Sequence, residues 1–190
     1  WDGAPAVFAG EDPSDGKFFV AKKGIFAKTP KIYKSHADID ADTSGDLSKK
    51  LKLAFDHLKD LGIKDVIQGD FMFDASDLKK ETINGVKHIT FHPNTILYAV
   101  PTNTRLAKEI QRAKVGIIWH TSYSGKSFEN MKAEFGRDIV GKLKRSKDVW
   151  MDDATLKDVS GTATLTASET AMLNHNLSNA GKTFQKVASK

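Results

Sequence analysis

The chain of 190 residues contains no cysteine, which excludes both a disulfide framework and a metal site built on thiolates. No apolar run approaches the roughly 18 residues that a transmembrane span needs, so we expect no membrane partner. The first residues of the sequence also lack the pattern of a signal peptide. Walker loops, dinucleotide-binding glycine patterns, nucleophile elbows and zinc-ligand spacings are missing as well. Any chemistry must therefore come from less common motifs.

The composition indicates one substantial hydrophobic core with a small appendage. Hydrophobic residues make up 39% of the chain and charged residues 28%. We expect an α+β domain over residues 1–150 and a helical extension over residues 151–190. The formal net charge is +5, with 29 basic and 24 acidic residues interspersed. This balance points to nucleic acid as a partner, but only weakly.

Apolar periodicity predicts an α+β fold with one twisted, mostly antiparallel sheet covered by helices. The stripe of Leu51, Ala54 and Leu58 recurs at helical spacing and predicts a helix over residues 47–61. A second stripe, from Phe128 to Leu143, predicts another covering helix over residues 127–143. The expected strands are residues 4–10, 17–23, 63–74, 88–100 and 115–121.

Local signals predict several further elements. Asn84-Gly85 between apolar segments is typical of a type I′ hairpin turn. Residues 28–46 are polar and turn-forming, so we expect a surface loop there. A helix is expected over residues 104–113, and the sequence from Thr166 to Glu169 has the pattern of a capping box that opens a last helix.

The most informative motif stands at the start of the sequence, where Asp2-Gly3 leads into an apolar segment. It resembles the end of the Lys-x-Asp-Gly motif of the covalent nucleotidyltransferases, the superfamily of DNA ligases, RNA ligases and mRNA capping enzymes. The resemblance implies a lysine one residue before Trp1 that attacks the α-phosphate of ATP or GTP, with Asp2 and Gly3 beside it in the catalytic centre. Because Asp-Gly is also a common turn dipeptide, the motif alone decides little.

Two later segments carry residues that this resemblance implicates in cofactor binding. The segment ending in Lys22, Lys23 and Gly24 resembles the superfamily strand whose basic end lies near the phosphates or the ribose. Gln68-Gly69-Asp70 resembles the strand whose carboxylate contacts the ribose or a divalent ion, which makes Asp70 the expected Mg²⁺ ligand. Carboxylate oxygen suits such a hard cation. Solvated lysines at a strand end, and a buried strand with one polar residue, are the alternative interpretations.

The resemblance continues in two further strands, with departures from the superfamily pattern. Phe91 or Tyr98 occupies the position of an aromatic that packs near the base, although the acid that follows it in the superfamily is missing. In the segment from Lys114 to Thr121, Val115 replaces a glutamate and His120 replaces a lysine. A protonated His120 could replace part of the phosphate contact. A strand histidine with no such role is the alternative.

Taken together, these segments also resemble a narrower family, encoded by large tailed bacteriophages including those of cyanobacteria, in which a Lys-Trp-Asp-Gly-Ala-Pro motif recurs. That resemblance covers roughly residues 1–170. It implies action in the host cytoplasm or in the virion, with other phage proteins as partners, and it implies a chain that extends upstream of Trp1.

Two function classes follow from the sequence. The first is a nucleotidyltransferase-like enzyme that uses ATP or GTP with Mg²⁺. The second is a non-catalytic phage structural or interaction protein that retains the fold. The basic cluster of residues 142–147 suits the end of a helix in solvent, and contact with a nucleic-acid backbone is its other interpretation.

Overall fold

The computed structural model describes residues 5–135, 138–154 and 165–188. The chain divides into two compact units, Trp1–Thr155 and Leu156–Lys190. The first unit contains nine described strands and three helices. The strands are β1 (Ala6–Glu11), β2 (Phe18–Ala21), β3 (Val66–Asp74), β4 (Lys79–Ile83), β5 (Val86–Phe91), β6 (Tyr98–Pro101), β7 (Val115–Ser124), β8 (Lys132–Phe135) and β9 (Val149–Asp153). The helices are α1 (His36–Asp42), α2 (Gly45–Leu58) and α3 (Arg105–Arg112).

The second unit carries one described helix, α4 (Ala167–Ala188). The expected capping box is confirmed at its start, where the Glu169 amide donates to Thr166 Oγ1 and the Thr166 amide donates to Glu169 Oε2. None of the helices in the described ranges combines the length and the apolar character that crossing a bilayer requires.

The main sheet has the strand order β2-β1-β3-β7-β8. Its pairings are antiparallel, with one exception: β9 runs parallel to the first half of β7, beside the part of that strand that β8 leaves uncovered. The expectation of an α+β fold with antiparallel sheets is confirmed.

One face of the main sheet is covered by α1 and α2. Side chains alternate along a strand, so Val7 and Ala9 of β1 face these helices, together with Ile117 of β7. The predicted stripe of α2 packs against them, as Leu51 and Ala54 are both buried. This helix is followed by a short 3₁₀ turn that ends at Gly62, where φ is +75°.

The opposite face carries two separate hydrophobic clusters. One contains Phe8, Phe19 and Val66 near one end of β3. The other forms near the opposite end, where Met72 packs with α3 and with a second sheet of order β4-β5-β6. The hairpin predicted in this second sheet is confirmed, since Asn84 and Gly85 both have positive φ, as a type I′ turn requires.

Several predicted elements are wrong. Residues 127–143 form no continuous helix: β8 pairs with the edge of β7, with short 3₁₀ turns at Phe128–Asn130 and Val140–Lys142. The apolar stripe that suggested a helix divides between the two faces of the sheet, Phe128 packing on one and Ile139 on the other. Backbone pairing with a distant strand thus overrides the local periodicity.

Other differences have local causes. The strand expected over residues 88–100 is two strands, because Pro93 lacks the amide that a continuous ladder needs, and both lie in the second sheet rather than the main one. The expected surface loop of residues 28–46 contains α1, which Ser35 caps by accepting a hydrogen bond from the Asp38 amide.

Candidate functional site

The candidate site lies where β1 runs beside β3. Ala6 is paired with Asp70, and the Pro5 carbonyl accepts a hydrogen bond from the Phe71 amide at 3.0 Å. Asp2 and Gly3 lie outside the described residues, but the chain that follows them reaches β1 directly beside Asp70. Two segments that the sequence singles out, separated by more than 60 residues, are therefore neighbours in the sheet.

Asp70 lies in a central gap, which we define by the half-exposed residues Ala6, Gln68 and Asp70 on the sheet face opposite α1 and α2. Alternation along β3 puts Gln68 and Asp70 on the same face as Val66 and Met72. Val66 belongs to one hydrophobic cluster of that face and Met72 to the other. The carboxyl group thus sits between two packed regions.

The residues before Asp70 are fixed by β7. The Tyr123 hydroxyl donates to Gln68 Oε1 at 2.6 Å, and burial raises the pKa of this tyrosine. A Cβ atom added at Gly69 would lie 2.4 Å from the Ile118 carbonyl oxygen and 2.8 Å from the Trp119 ring. Close approach of β7 therefore explains the glycine of the Gln-Gly-Asp motif without any ligand.

His120 occupies a discontinuity in β7. Gln68 is paired with Thr121 and Gly69 with Trp119, so His120 is the extra residue of a β-bulge. On the other side of β7, the β9 pairing ends at Trp119 and the β8 pairing begins at Thr121. The His120 ring is half-buried, with Nδ1 2.6 Å from Thr121 Oγ1. β-Bulges are frequent beside active sites, where they redirect a side chain.

The two predicted lysines differ in placement. The Lys22 amine lies 3.0 Å from an Asp42 carboxylate oxygen on α1, where Lys31 and Tyr33 also bind the same carboxylate. Hydrogen bonds from Lys31, Tyr33 and Lys22 hold the pKa of Asp42 well below its usual range. Lys22 is thus held by α1, whereas Lys23 is exposed in the turn after β2. If these segments form one nucleotide pocket, as the resemblance implies, Asp2, Asp70 and one of the two lysines should face a common cleft. Asp2 lies outside the described residues, so this convergence stays a prediction.

The structure does not bring Phe91 to an open surface. Its ring is 2% exposed, stacks on Tyr98 at a centroid distance of 5.3 Å and contacts Phe73 at 4.9 Å. In this conformation Phe91, the last residue of β5, is part of the core between the two sheets, where an apolar ring is most stable. The prediction that it packs against a base requires a rearrangement of this cluster.

A charged cluster that sequence reasoning missed lies where β3 ends. Asp74 is 1% exposed, and its carboxylate contacts Lys49 at 3.0 Å and Lys50 at 3.2 Å. Lys50 also contacts Asp77 at 2.6 Å and lies over the Phe71 ring. The sequence contained a signal, since Lys50 stands three residues after Leu47 and four before Ala54, within the buried stripe of α2.

The charge of Lys50 excludes it as a nucleophile. Burial lowers the pKa of its amine, but Asp77 and Asp74 together raise this pKa by more than burial lowers it. The net shift is upward. For Asp74, burial raises the pKa of the carboxyl group, but Ser76, Lys49 and Lys50 outweigh it and the net shift is downward. Both groups stay charged, and the cluster connects α2 to the end of β3.

Metal binding by protein groups alone is not supported. Among residues 5–135, 138–154 and 165–188, no group of three or more His, Cys, Asp or Glu side chains is placed to hold a metal ion. A pocket of about 770 Å³ lies elsewhere in the first unit, between α3 and the segment that leads into β9. None of the five predicted residues that the structure describes lines this pocket.

Comparison with known proteins places the chain in a family. The model of DUF6267, a family of unknown function, matches residues 1–190, so the chain belongs to that family. No curated protein and no solved structure matches it.

Proposed function

We propose that this DUF6267 protein is a nucleotidyltransferase-like protein that binds ATP or GTP at the central gap. With the lysine expected before Trp1, it would form a covalent lysyl-nucleotide intermediate. The observation that carries the proposal is the pairing of Ala6 with Asp70, because it brings the strand that follows Asp2-Gly3 in the sequence beside the Gln68-Gly69-Asp70 motif. The superfamily fold itself is part of this proposal.

The partly exposed residues between the two clusters of this face favour the location. The helices α1 and α2 cover the other face, so a ligand that reaches Asp70 approaches from the face that carries the gap. Asp70 is half-exposed there, and Lys23 is exposed at the end of the adjacent pair of strands. A nucleotide triphosphate in this position would meet one carboxylate and at least one amine.

Mg²⁺ fits this arrangement as a substrate-borne ion. Magnesium in nucleotide sites is held by one or two carboxylates, with phosphates and water completing the octahedron. Asp70 supplies one such oxygen donor, so the described residues need not form a complete ligand set. In the proposed reaction the deprotonated lysine forms a phosphorus–nitrogen bond to the α-phosphate and pyrophosphate leaves. Asp70 would hold the ion or the ribose, and a protonated His120 would contact phosphate.

A non-catalytic phage structural or interaction protein is the second candidate. Phe91 is packed in the core, Lys22 is bound to Asp42, and Val115 replaces the glutamate that the superfamily places in this strand. A protein that kept the superfamily fold but lost catalysis would be expected to lose nucleotide contacts at positions such as these three. Action in the host cytoplasm or virion is common to both proposals.

The test is covalent labelling. The chain extended by its natural upstream residues should become labelled when incubated with α-labelled ATP or GTP and Mg²⁺, and the 190-residue chain should not. Asp70→Asn should reduce labelling by at least about tenfold, because it removes a charged contact at nearly constant shape. The matched control is Asp60→Asn, an exposed carboxylate in the 3₁₀ turn after α2. Nucleotide binding without labelling would leave the non-catalytic candidate, and the enzyme proposal would be lost.

A further inference from the structure

The pocket between α3 and β9 concentrates the arginines of this chain. Only four of the 29 basic residues are arginine, and Arg105, Arg112 and Arg145 all line this one pocket. Lys147 adds a fourth cation, while Glu109 and Asp152 contribute two negative charges. Lysine dominates everywhere else, so the surface of this pocket differs chemically from the rest of the described surface.

The arginines come from two segments that only the fold brings together. Arg105 and Arg112 lie seven residues apart on α3, which puts them on one helix face about 10 Å apart along the axis. Arg145 and Lys147 belong to the segment that leads into β9. This segment includes part of the basic cluster at residues 142–147, whose role the sequence left open between a solvated helix end and a phosphate contact. It forms no helix end there, because residues 144–148 are not helical.

The four cations of the pocket differ in their contacts with described residues. Arg105 donates through Nε to Glu109 at 2.7 Å. Among the residues that the structure describes, no ion pair is found for Arg112, Arg145 or Lys147, and all three are exposed. Unpaired arginines gathered around one concave surface favour anionic groups, since the guanidinium fork matches phosphate oxygens bidentately.

We propose that this arginine groove, defined by Arg105, Arg112, Arg145 and Lys147, binds the phosphodiester backbone of a single-stranded nucleic acid. Cations spread over about 10 Å suit a ligand with several successive phosphates better than one compact anion. Leu106 lines the same groove, is 40% exposed and offers apolar surface to sugars or bases, whereas the Trp150 ring is buried against Phe73. The inference does not depend on the proposed nucleotidyl transfer, because the groove shares no residue with the central gap.

The test measures binding of a fluorescein-labelled 20-nucleotide single strand, as RNA and as DNA, by anisotropy between 50 and 200 mM salt. We expect Arg112→Gln combined with Arg145→Gln to weaken binding at least about tenfold. The slope of log affinity against log salt should fall in magnitude by about 1.4, or about 0.7 for each lost phosphate contact. Lys147→Glu should weaken binding independently and serves as the second variant. Neither measurement uses a nucleotide cofactor, so failed labelling and failed strand binding remain distinguishable.

The matched control is Lys17→Gln combined with Lys28→Gln, which removes the same charge from exposed positions before and after β2, on the edge of the main sheet far from β9. It should change affinity less than about twofold, as expected for distant surface charges. Equal losses in both double variants would mean that only overall charge matters, and the proposal would be overturned. Displacement of the strand by tripolyphosphate or by polyglutamate at equal charge concentration would also overturn it, since the ligand would then be a small phosphate or an acidic protein.

Discussion

The buried charged cluster at the end of β3 gives the sharpest stability prediction. Asp74→Asn removes the negative charge from a side chain that is 1% exposed, while keeping its size and one acceptor oxygen. The change leaves Lys50, itself 8% exposed, with Asp77 as its main counter-charge. The new amide group also directs N–H donors toward the lysines Lys49 and Lys50.

The magnitude follows from which contacts survive. Removing one partner of a buried ion pair usually costs about 3–5 kcal/mol. Because Asp77 remains 2.6 Å from Lys50 and Lys49 is half-exposed, we expect a smaller loss, about 2–3 kcal/mol in the free energy of unfolding. For a domain of this size the midpoint of thermal unfolding should fall by about 4–12 °C.

The assay is urea unfolding followed by circular dichroism, with Asp46→Asn as the matched control. Asp46 contacts the same Lys50 amine at 3.5 Å, but its side chain is 69% exposed. Exposed pairs contribute little, so this variant should lose less than about 0.5 kcal/mol. If both variants lost the same small amount, burial would not be what makes the Asp74 contact strong, and the reasoning would be refuted.

Three further predictions concern acid stability, strand packing and one buried hydroxyl group. The folded-state pKa of Asp74 lies below its unfolded value. The stability that Asp74 contributes is therefore complete above about pH 5 and is lost as pH falls through the folded pKa. Asp74→Asn should make the unfolding free energy depend less on pH in the acid range. Gly69→Ala should destabilise the first unit by about 3 kcal/mol in urea, since its Cβ would meet the Ile118 carbonyl, and a loss below about 0.5 kcal/mol would contradict the close approach. Thr90→Val should be neutral or stabilising by up to about 1 kcal/mol in thermal melts, because the buried Thr90 hydroxyl has no hydrogen-bond partner among the described residues; a clear loss would reveal one.

Elements with local determinants were predictable from the sequence. Asn84-Gly85 specifies its turn by backbone conformation alone, and the stripe of α2 identifies its own buried face. The segment around β8 was not predictable, because its apolar residues have helical spacing and only the free edge of β7 decides its conformation. β9 depends on the same distant strand.

The same distinction between local and tertiary determinants applies to the residues of the candidate site. The neighbourhood of Ala6 and Asp70 could be anticipated only through the resemblance to a superfamily, since no local signal specifies which strands pair. Phe91 is buried against Phe73, which stands 18 residues earlier in the chain. Lys22 is bound by Asp42, 20 residues later, and neither contact has a local signal. The charged cluster around Lys50 is different, because a lysine inside an apolar stripe already indicates, from the sequence alone, a buried amine that needs an acidic partner.

The strand β7 connects these observations physically. Its close approach to β3 excludes a side chain at position 69, and the extra residue that follows Trp119 is His120. Around that residue the neighbour on the other edge changes from β9, whose pairing ends at Trp119, to β8, whose described pairing begins at Thr121. The ladder of β3 and β7 thus shifts its register twice, at His120 and at Met72, and the pair of Asp70 with Ile118 lies between the two shifts. His120 is the extra residue of the first of these shifts, and a bulge redirects the side chain that it carries, so the pairing of β7 rather than the regular alternation of the strand sets the direction of this ring.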